Sequence, residues 1–180
     1  SGVSKLDDLA GKMVAFEEPF STASYYLAKL HMKHAGLHLI AKTEPSDPVA
    51  PGEVGYIFSG DDRNTLAWVL KGRTAAGAIN DEKFEKLARN HEKDLLILAT
   101  TPAVPRHLVT YRKNLDARLV QEIRAVLLAM EHSPEGLAAL KSFNDTTRFD
   151  ELTEADRKAL SSLRSRFQTQ IDEEFSGLSP

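Results

Sequence analysis

The residues that follow Pro19 carry the first chemistry to consider. In Pro19-Phe20-Ser21-Thr22-Ala23-Ser24 three hydroxyls stand where a short apolar run gives way to an amphipathic stretch. A helix that starts there presents backbone N–H groups without internal partners and a partial positive charge. Hydroxyls and amides together can then hold an oxyanion without any basic residue. The plainer reading is that Ser21 or Thr22 merely caps the helix. A second junction, Phe58-Ser59-Gly60-Asp61-Asp62-Arg63-Asn64-Thr65, has the same strand, turn and helix form. Two such helix starts at the carboxyl ends of strands are where ligands sit in open α/β sheets. Carboxylates beside a bound anion cost energy unless Arg63 or a counter-ion compensates, and the plainer role of Asp61 and Asp62 is favourable charge at a helix start. As an acid–base or metal pair they would instead serve a small α/β enzyme.

Other constellations say less. His31 and His34 are three apart on one helix and His38 follows, but Gly36 takes His38 off that helix and no metalloprotease arrangement of His and Glu is present. The glycine-rich nucleotide and dinucleotide loops and the nucleophile elbow of serine hydrolases are all missing. Tyr25, Tyr26, Tyr56 and Trp68 could line a cleft, although Trp68, deep in a helical stretch, reads as core.

The elements that must position these residues alternate as in an α/β protein. Strands are expected at Met13–Glu17, Leu37–Ala41, Val54–Phe58, Thr74–Ile79, Leu95–Thr100 and Leu108–Tyr111. The helix after Ser24 has Tyr26, Leu27, Leu30 and Ala35 as its apolar positions and Gly36 as its stop. Further helices are expected from Asn64 to Lys71, ended by Gly72, and from Asp81 to Asn90. Three prolines and a glycine make residues 44–53 an exposed loop. From Leu115 a long helical region carries a stripe of Leu119, Ile123, Val126, Leu127 and Met130. Ser133-Pro134-Glu135 restarts a helix on which Leu137 and Leu140 face inward. Thr153-Glu154-Ala155-Asp156 caps the last helix, striped by Leu160, Leu163, Phe167, Ile171 and Phe175.

Composition bounds the possibilities. The chain has 180 residues, 42% hydrophobic and 27% charged, which suits a globular domain rather than a disordered or fibrous one. Lysine and arginine number 23 against 26 acids, a net charge of −3, and no basic stripe appears, so nucleic acid is a poor partner. The absence of cysteine removes disulfides, thiol catalysis and thiolate metal ligands while leaving the compartment open. No apolar run approaches the roughly 20 residues of a membrane span, the longest candidate being Leu95–Ala99. The start at Ser1 rather than Met suggests a processed product or an excised piece.

Five segments in order resemble one family. They are Leu6-Asp7-Asp8-Leu9-Ala10-Gly11-Lys12, Phe16-Glu17-Glu18-Pro19-Phe20-Ser21-Thr22, Phe58-Ser59-Gly60, Val69-Leu70-Lys71-Gly72-Arg73-Thr74-Ala75-Ala76-Gly77-Ala78 and Pro102-Ala103-Val104-Pro105-Arg106-His107. Together they are similar to the phosphate/phosphite/phosphonate-type solute-binding proteins of bacterial ABC transporters, from about Leu6 to about Phe149. The resemblance implies an α/β fold like the type II periplasmic binding proteins, with a mixed sheet flanked by helices. It implies one complete lobe plus the C-terminal part of the other. Residues 12–100 would be the second lobe, 101–106 a hinge crossover, and 107–180 the returning part of the first lobe, ending in a long amphipathic helix.

The same resemblance implies a non-enzymatic solute-binding component that takes a phosphonate- or phosphate-like oxyanion in a cleft between lobes. Ligand contacts would come from Ser21, Thr22, Ala23, Ser24, Tyr25, Gly60, Asp62 and Arg63, with no catalytic residue, metal or cofactor. Its partners would be the oxyanion and an inner-membrane permease, with no nucleic acid, and exposed apolar surface leaves room for a homodimer. It would work in the periplasm or lipid-anchored outside the cell. The alternative is a sensory module of the same fold coupled to a signalling protein. Two residues depart from the family pattern. The third hydroxyl of its Ser-Thr-Ser run is Ala23 here, with Ser24 placed to substitute, and Asp62 falls where the family commonly has a ligand-contacting histidine. The departure at Asp62 argues against a fully ionised phosphonate and leaves open a different, less charged or partly cationic ligand, or the loss of transport-type binding. A complete member also has a first-lobe segment ahead of Leu6, so this chain is expected to be a fragment with weak or absent affinity by itself.

Overall fold

The computed structural model describes residues 2–105 and 107–175. Arg106, from the fifth family segment and the 101–106 crossover, lies outside the described residues, as do the side chains of Ile171 and Phe175.

Met13-Val14-Ala15-Phe16 is apolar at every position, the pattern of a strand covered on both faces, and all four residues are buried in strand β1 (Met13–Phe16). Strands β2 (Leu39–Ala41), β3 (Val54–Phe58) and β4 (Ala76–Gly77) join it in the order β2-β3-β1-β4, and every pairing is parallel. Parallel neighbours need crossover connections. Helix α1 (Ala28–His34) lies between β1 and β2, α2 (Asp62–Leu70) lies between β3 and β4, and α3 (Asp81–Ala88) follows β4. The register sets Phe16 opposite Phe58 and Ala15 opposite Gly77, so the chain leaves β1, β3 and β4 at one edge of the sheet. Leu9, Val14, Phe16, Tyr25, Met32, Val54 and Tyr56 form the core beneath that edge.

Local signals explain the helix ends. Gly36 and Gly72 take φ of +85° and +68° just past α1 and α2, the left-handed stop that costs a glycine nothing. Helix α4 (Ala117–Ala129) is capped by Asp116, whose carboxylate accepts from the N–H of Leu119 at 3.0 Å. Helix α5 (Pro134–Ser142) has Pro134 in its first turn and Ser133 as its cap. Helix α6 (Glu154–Phe175) opens with Thr153 and Asp156 each accepting from the other's backbone N–H.

Four expectations need correction. The helix after Ser21 begins as one π-helical stretch, Thr22–Leu27, with Tyr26 N–H donating to the Ser21 carbonyl at 3.0 Å. That wider turn shifts the phase of the buried face. Ser24, Tyr25, Leu27, Lys29 and Met32 point inward, whereas Ala35 is exposed. Residues 95–100 are not a strand. Leu98 packs on the core, but Leu96 and Ile97 are 62% and 64% exposed and no strand pairs with them among the described residues. Leu108–Tyr111 likewise has no strand partner among the described residues, and Leu108, Val109 and Tyr111 are exposed. On α5, Leu140 is buried as expected, but Leu137 is 50% exposed.

The chain divides into two compact units, one of Ser1–Pro102 with Phe167–Pro180 and the other of Ala103–Arg166. The sheet and its three helices lie in the first. In the second, α4 and α5 are joined by a 3-10 turn, Met130–His132. There Arg124 pairs with Glu151, and the Phe143 ring lies between those of His107 and Phe149.

Candidate functional site

Three chain segments leave the carboxyl edge of the sheet and meet at Ser24. The ladder between β1 and β3 runs on past the strands, with Ser59 N–H donating to Phe16 O at 2.8 Å and Gly60 N–H to Glu17 O at 2.9 Å. These bonds hold the two candidate turns side by side. Gly60 takes φ +88°, which lets the chain turn sharply into α2. Asp61 caps that helix, its carboxylate accepting from Asn64 N–H at 2.6 Å, and the Asn64 amide donates back to Ser59 O at 3.0 Å. Behind them the Ser59 and Thr65 hydroxyls meet at 2.5 Å.

Ser24 is fully buried. Its hydroxyl donates to Asp62 Oδ1 at 3.3 Å and accepts from Asn80 N–H at 3.1 Å, so it ties the turns after β1, β3 and β4 together. Ser21 is the cap, its hydroxyl accepting from Ser24 N–H at 3.1 Å. The Tyr26 N–H reaches back five residues to Ser21 O, and the N–H groups of Thr22 and Ala23 stand in the first turn, ahead of that bond; both residues are exposed. The candidate donors at this edge are the Thr22 hydroxyl and the amides of Thr22 and Ala23. A π turn at such a place is itself a frequent companion of function.

The structure thus brings Ser21, Thr22, Ala23 and Ser24 together with Gly60 and Asp62. Arg63 is exposed on the first turn of α2 and makes no ion pair among the described residues. Tyr25 is buried, its ring packed edge-on against Phe16 and Phe58. Of the two adjacent carboxylates, Asp61 caps α2 and Asp62 is turned inward to Ser24. His31 is half-buried while His34 and His38 are exposed, and no group of three or more potential metal ligands occurs among the described residues.

Electrostatics make Asp62 the sensitive group. It is only 6% exposed, and burial, followed by the nearby charge of Glu17, raises its pKa above the ordinary 3.8, against the opposing Ser24 hydrogen bond and Lys83. Because the folded chain holds that proton more tightly than the unfolded chain does, the group's contribution to stability is present at low pH. It is lost as pH rises through the folded value. Asp62→Asn keeps an acceptor for Ser24 and removes the buried charge. We expect its urea midpoint to exceed that of the parent at pH 7 and to match it near pH 3, where Asp62 is protonated in both states. A lower midpoint at pH 7 would show that the charge is stabilising where it stands.

One buried charge escaped sequence reasoning. Lys29 is 5% exposed, donates to the hydroxyls of Tyr25 at 2.8 Å and Tyr56 at 3.1 Å, and lies 4.6 Å from the centre of the Tyr56 ring. The available signal was its spacing of four from Tyr25, which puts both on one helix face.

A sequence model of periplasmic phosphonate substrate-binding proteins of ABC transporters matches residues 1–157. The chain belongs to that family. No curated protein matches its sequence significantly. Among solved structures, the Xanthomonas citri protein XAC2383 is similar in two states. Bound to ATP it superposes with a TM-score of 0.88 at 29% identity, covering 96% of this chain and 64% of that one. Bound to chloride ion it gives the same TM-score and identity, covering 96% and 63%. The chain therefore spans a little under two thirds of the length of these neighbours. No helix among the described residues is long and apolar enough to cross a membrane.

Proposed function

We propose that this member of the phosphonate-binding family is the solute-binding part of an ABC importer and takes a small oxyanion at the Thr22–Leu27 helix start. The observation that supports the reading is the meeting of three strand-to-helix turns at Ser24, with Thr22 and Ala23 exposed in the first turn of the helix that leaves the carboxyl edge of a parallel sheet. Ser21 and Ser24 hold that edge rigid, and the Gly60–Arg63 turn flanks it. Asp62 and Glu17 oppose a full dianion, so the preferred solute carries a proton or a cationic group beside its oxyanion. The Xanthomonas citri relative has been captured with ATP and with chloride, both anions. Such a protein works outside the cytoplasm and delivers its solute to a membrane permease.

Isothermal titration of the 180-residue chain with phosphate, phosphite and small phosphonates tests this. Because only part of the family's length is present, we expect affinities weaker than about 1 μM, roughly −8 kcal/mol of binding free energy. Thr22→Val, which removes one exposed donor, should lower affinity about tenfold or more, since a hydrogen bond to a charged group contributes about 1.5–3 kcal/mol. Sub-micromolar binding would contradict only the expected weakness of the partial chain, whereas no effect of Thr22→Val on the affinity would contradict the reading.

A further inference from the structure

We infer that Lys29 is a positioning residue for the anion edge: bonded to Tyr25 and Tyr56, it holds the wide turn Thr22–Leu27 and so fixes where the Thr22 and Ala23 donors stand. Its effect on solute binding rests on the reading proposed above; its hold on the turn does not.

Single π turns are rare in helices, so one that persists needs contacts that keep it from the regular form. Two sets of contacts act on this one. Ser24, inside the turn, is tied through its hydroxyl to Asp62 and Asn80. Tyr25, the next residue, is tied to the sheet instead. Lys29 donates to the Tyr25 hydroxyl at 2.8 Å and to that of Tyr56 on β3 at 3.1 Å, and the two hydroxyls stand 3.4 Å apart. The Lys29 nitrogen also lies 5.0 Å and 4.6 Å from the centres of the two rings. All three residues are buried. Lysine is among the residues least often buried, and an apolar side chain would serve packing alone. Lys29 stands in the first turn of α1, just past the π stretch and four residues from Tyr25, so the bond between them spans the junction from the wide turn to the regular helix. Successive side chains on a helix point roughly 100° apart, so Ser24 and Tyr25 reach separate anchors. Both anchors are kept only while the backbone from Ser21 to Tyr26 keeps its present pitch. Return to a regular turn would move the Tyr26 N–H from the Ser21 carbonyl to that of Thr22 and would rotate the Thr22 and Ala23 donors by roughly 100° relative to α1.

The turn reports on itself through the bond it makes. In the isotope-labelled 180-residue chain, a through-hydrogen-bond coupling between the Tyr26 nitrogen and the Ser21 carbonyl carbon marks the wide turn; coupling to the Thr22 carbonyl carbon marks a regular one. The coupling is read from folded molecules, so a loss of stability alone does not move it. Lys29→Met removes the donor, and Tyr25→Phe removes a hydroxyl while keeping the ring in the core. In both we expect the coupling to pass from Ser21 to Thr22 and the dissociation constant for inorganic phosphate to rise about tenfold, as on loss of a hydrogen bond to a charged group. The chain contains no cysteine, so Lys29→Cys can be alkylated at that one position with 2-bromoethylamine before refolding. This returns an amino group at nearly the same reach and should restore both readings. Retention of the Ser21 coupling in Tyr25→Phe, whether or not Lys29→Met folds, would overturn the proposal. So would a shifted coupling with the parent's phosphate affinity. A parent chain that shows the Ser21 coupling yet binds no phosphate would count against the anion site, and the coupling in the variants then decides the hold of Lys29 on the turn by itself.

Discussion

Phe16→Ala should unfold the first unit at much lower denaturant, costing about 4 kcal/mol. Phe16 is fully buried at the end of the central strand, with its ring 5.2 Å from that of Tyr25 and 5.6 Å from that of Tyr56. Truncating a buried phenylalanine removes its transfer free energy and leaves a cavity, together worth about 3–5 kcal/mol. Each aromatic neighbour adds about 0.5–1.5 kcal/mol beyond area. Small domains are stable by only about 5–15 kcal/mol, so this single change consumes a large share. The lone tryptophan, Trp68 on α2, reports on the same unit. Its fluorescence should show the urea midpoint falling by about 2 M for an m-value near 2 kcal/mol/M. Phe16→Leu should fall by less than half as much. A midpoint within the error of the parent would mean that the ring does not organise the core from which the candidate turns emerge.

Gly136→Ala should destabilise the second unit, against the usual preference. In a helix interior alanine is favoured over glycine by about 1 kcal/mol. Here a Cβ would stand 2.0 Å from the Met130 carbonyl oxygen and 2.7 Å from its carbonyl carbon and Cα. These are backbone atoms of the preceding turn, which cannot rotate away as a side-chain tip can, so α5 must shift as a whole and lose the Ser133 cap at Gly136 N–H. Overpacking of this kind costs about 1–3 kcal/mol, enough to reverse the helix preference. Native-state hydrogen exchange should show faster exchange across α5. Gly52→Ala, where a Cβ would meet nothing within 4 Å, should leave exchange unchanged. Equal or slower exchange in Gly136→Ala would contradict the close approach.

Much of the first unit was legible because its signals are local. Continuous apolar runs at Met13–Phe16 and Val54–Phe58 mark strands covered on both faces, and Gly36, Gly72, Ser133 and Pro134 mark helix ends by their own backbone preferences. The candidate turns could be read for the same reason, since hydroxyls after a proline at a strand end are a short-range pattern. What could not be read depends on context. The π turn at Thr22–Leu27 rotates the helix face, which is why Lys29 lies buried under two tyrosines while a regular 3.6-residue count chose Leu30 and Ala35. The commitment of the Ser24 hydroxyl to Asp62 and Asn80, 38 and 56 residues away, has no trace in local sequence. Residues 95–100 and 108–111 have strand composition, but a strand exists only where another lies beside it, and that is decided elsewhere in the chain.

Anion capture at the Thr22–Leu27 helix start is tested most directly by titrating the isotope-labelled chain with phosphate, methylphosphonate and an aminoalkyl phosphonate at constant pH and ionic strength, following backbone amide resonances. The expected result is saturable shifts that are largest at the amides of Thr22 and Ala23, with the aminoalkyl phosphonate bound more tightly than the other two. Saturable shifts that leave those two amides unmoved, or none at millimolar solute, would contradict it.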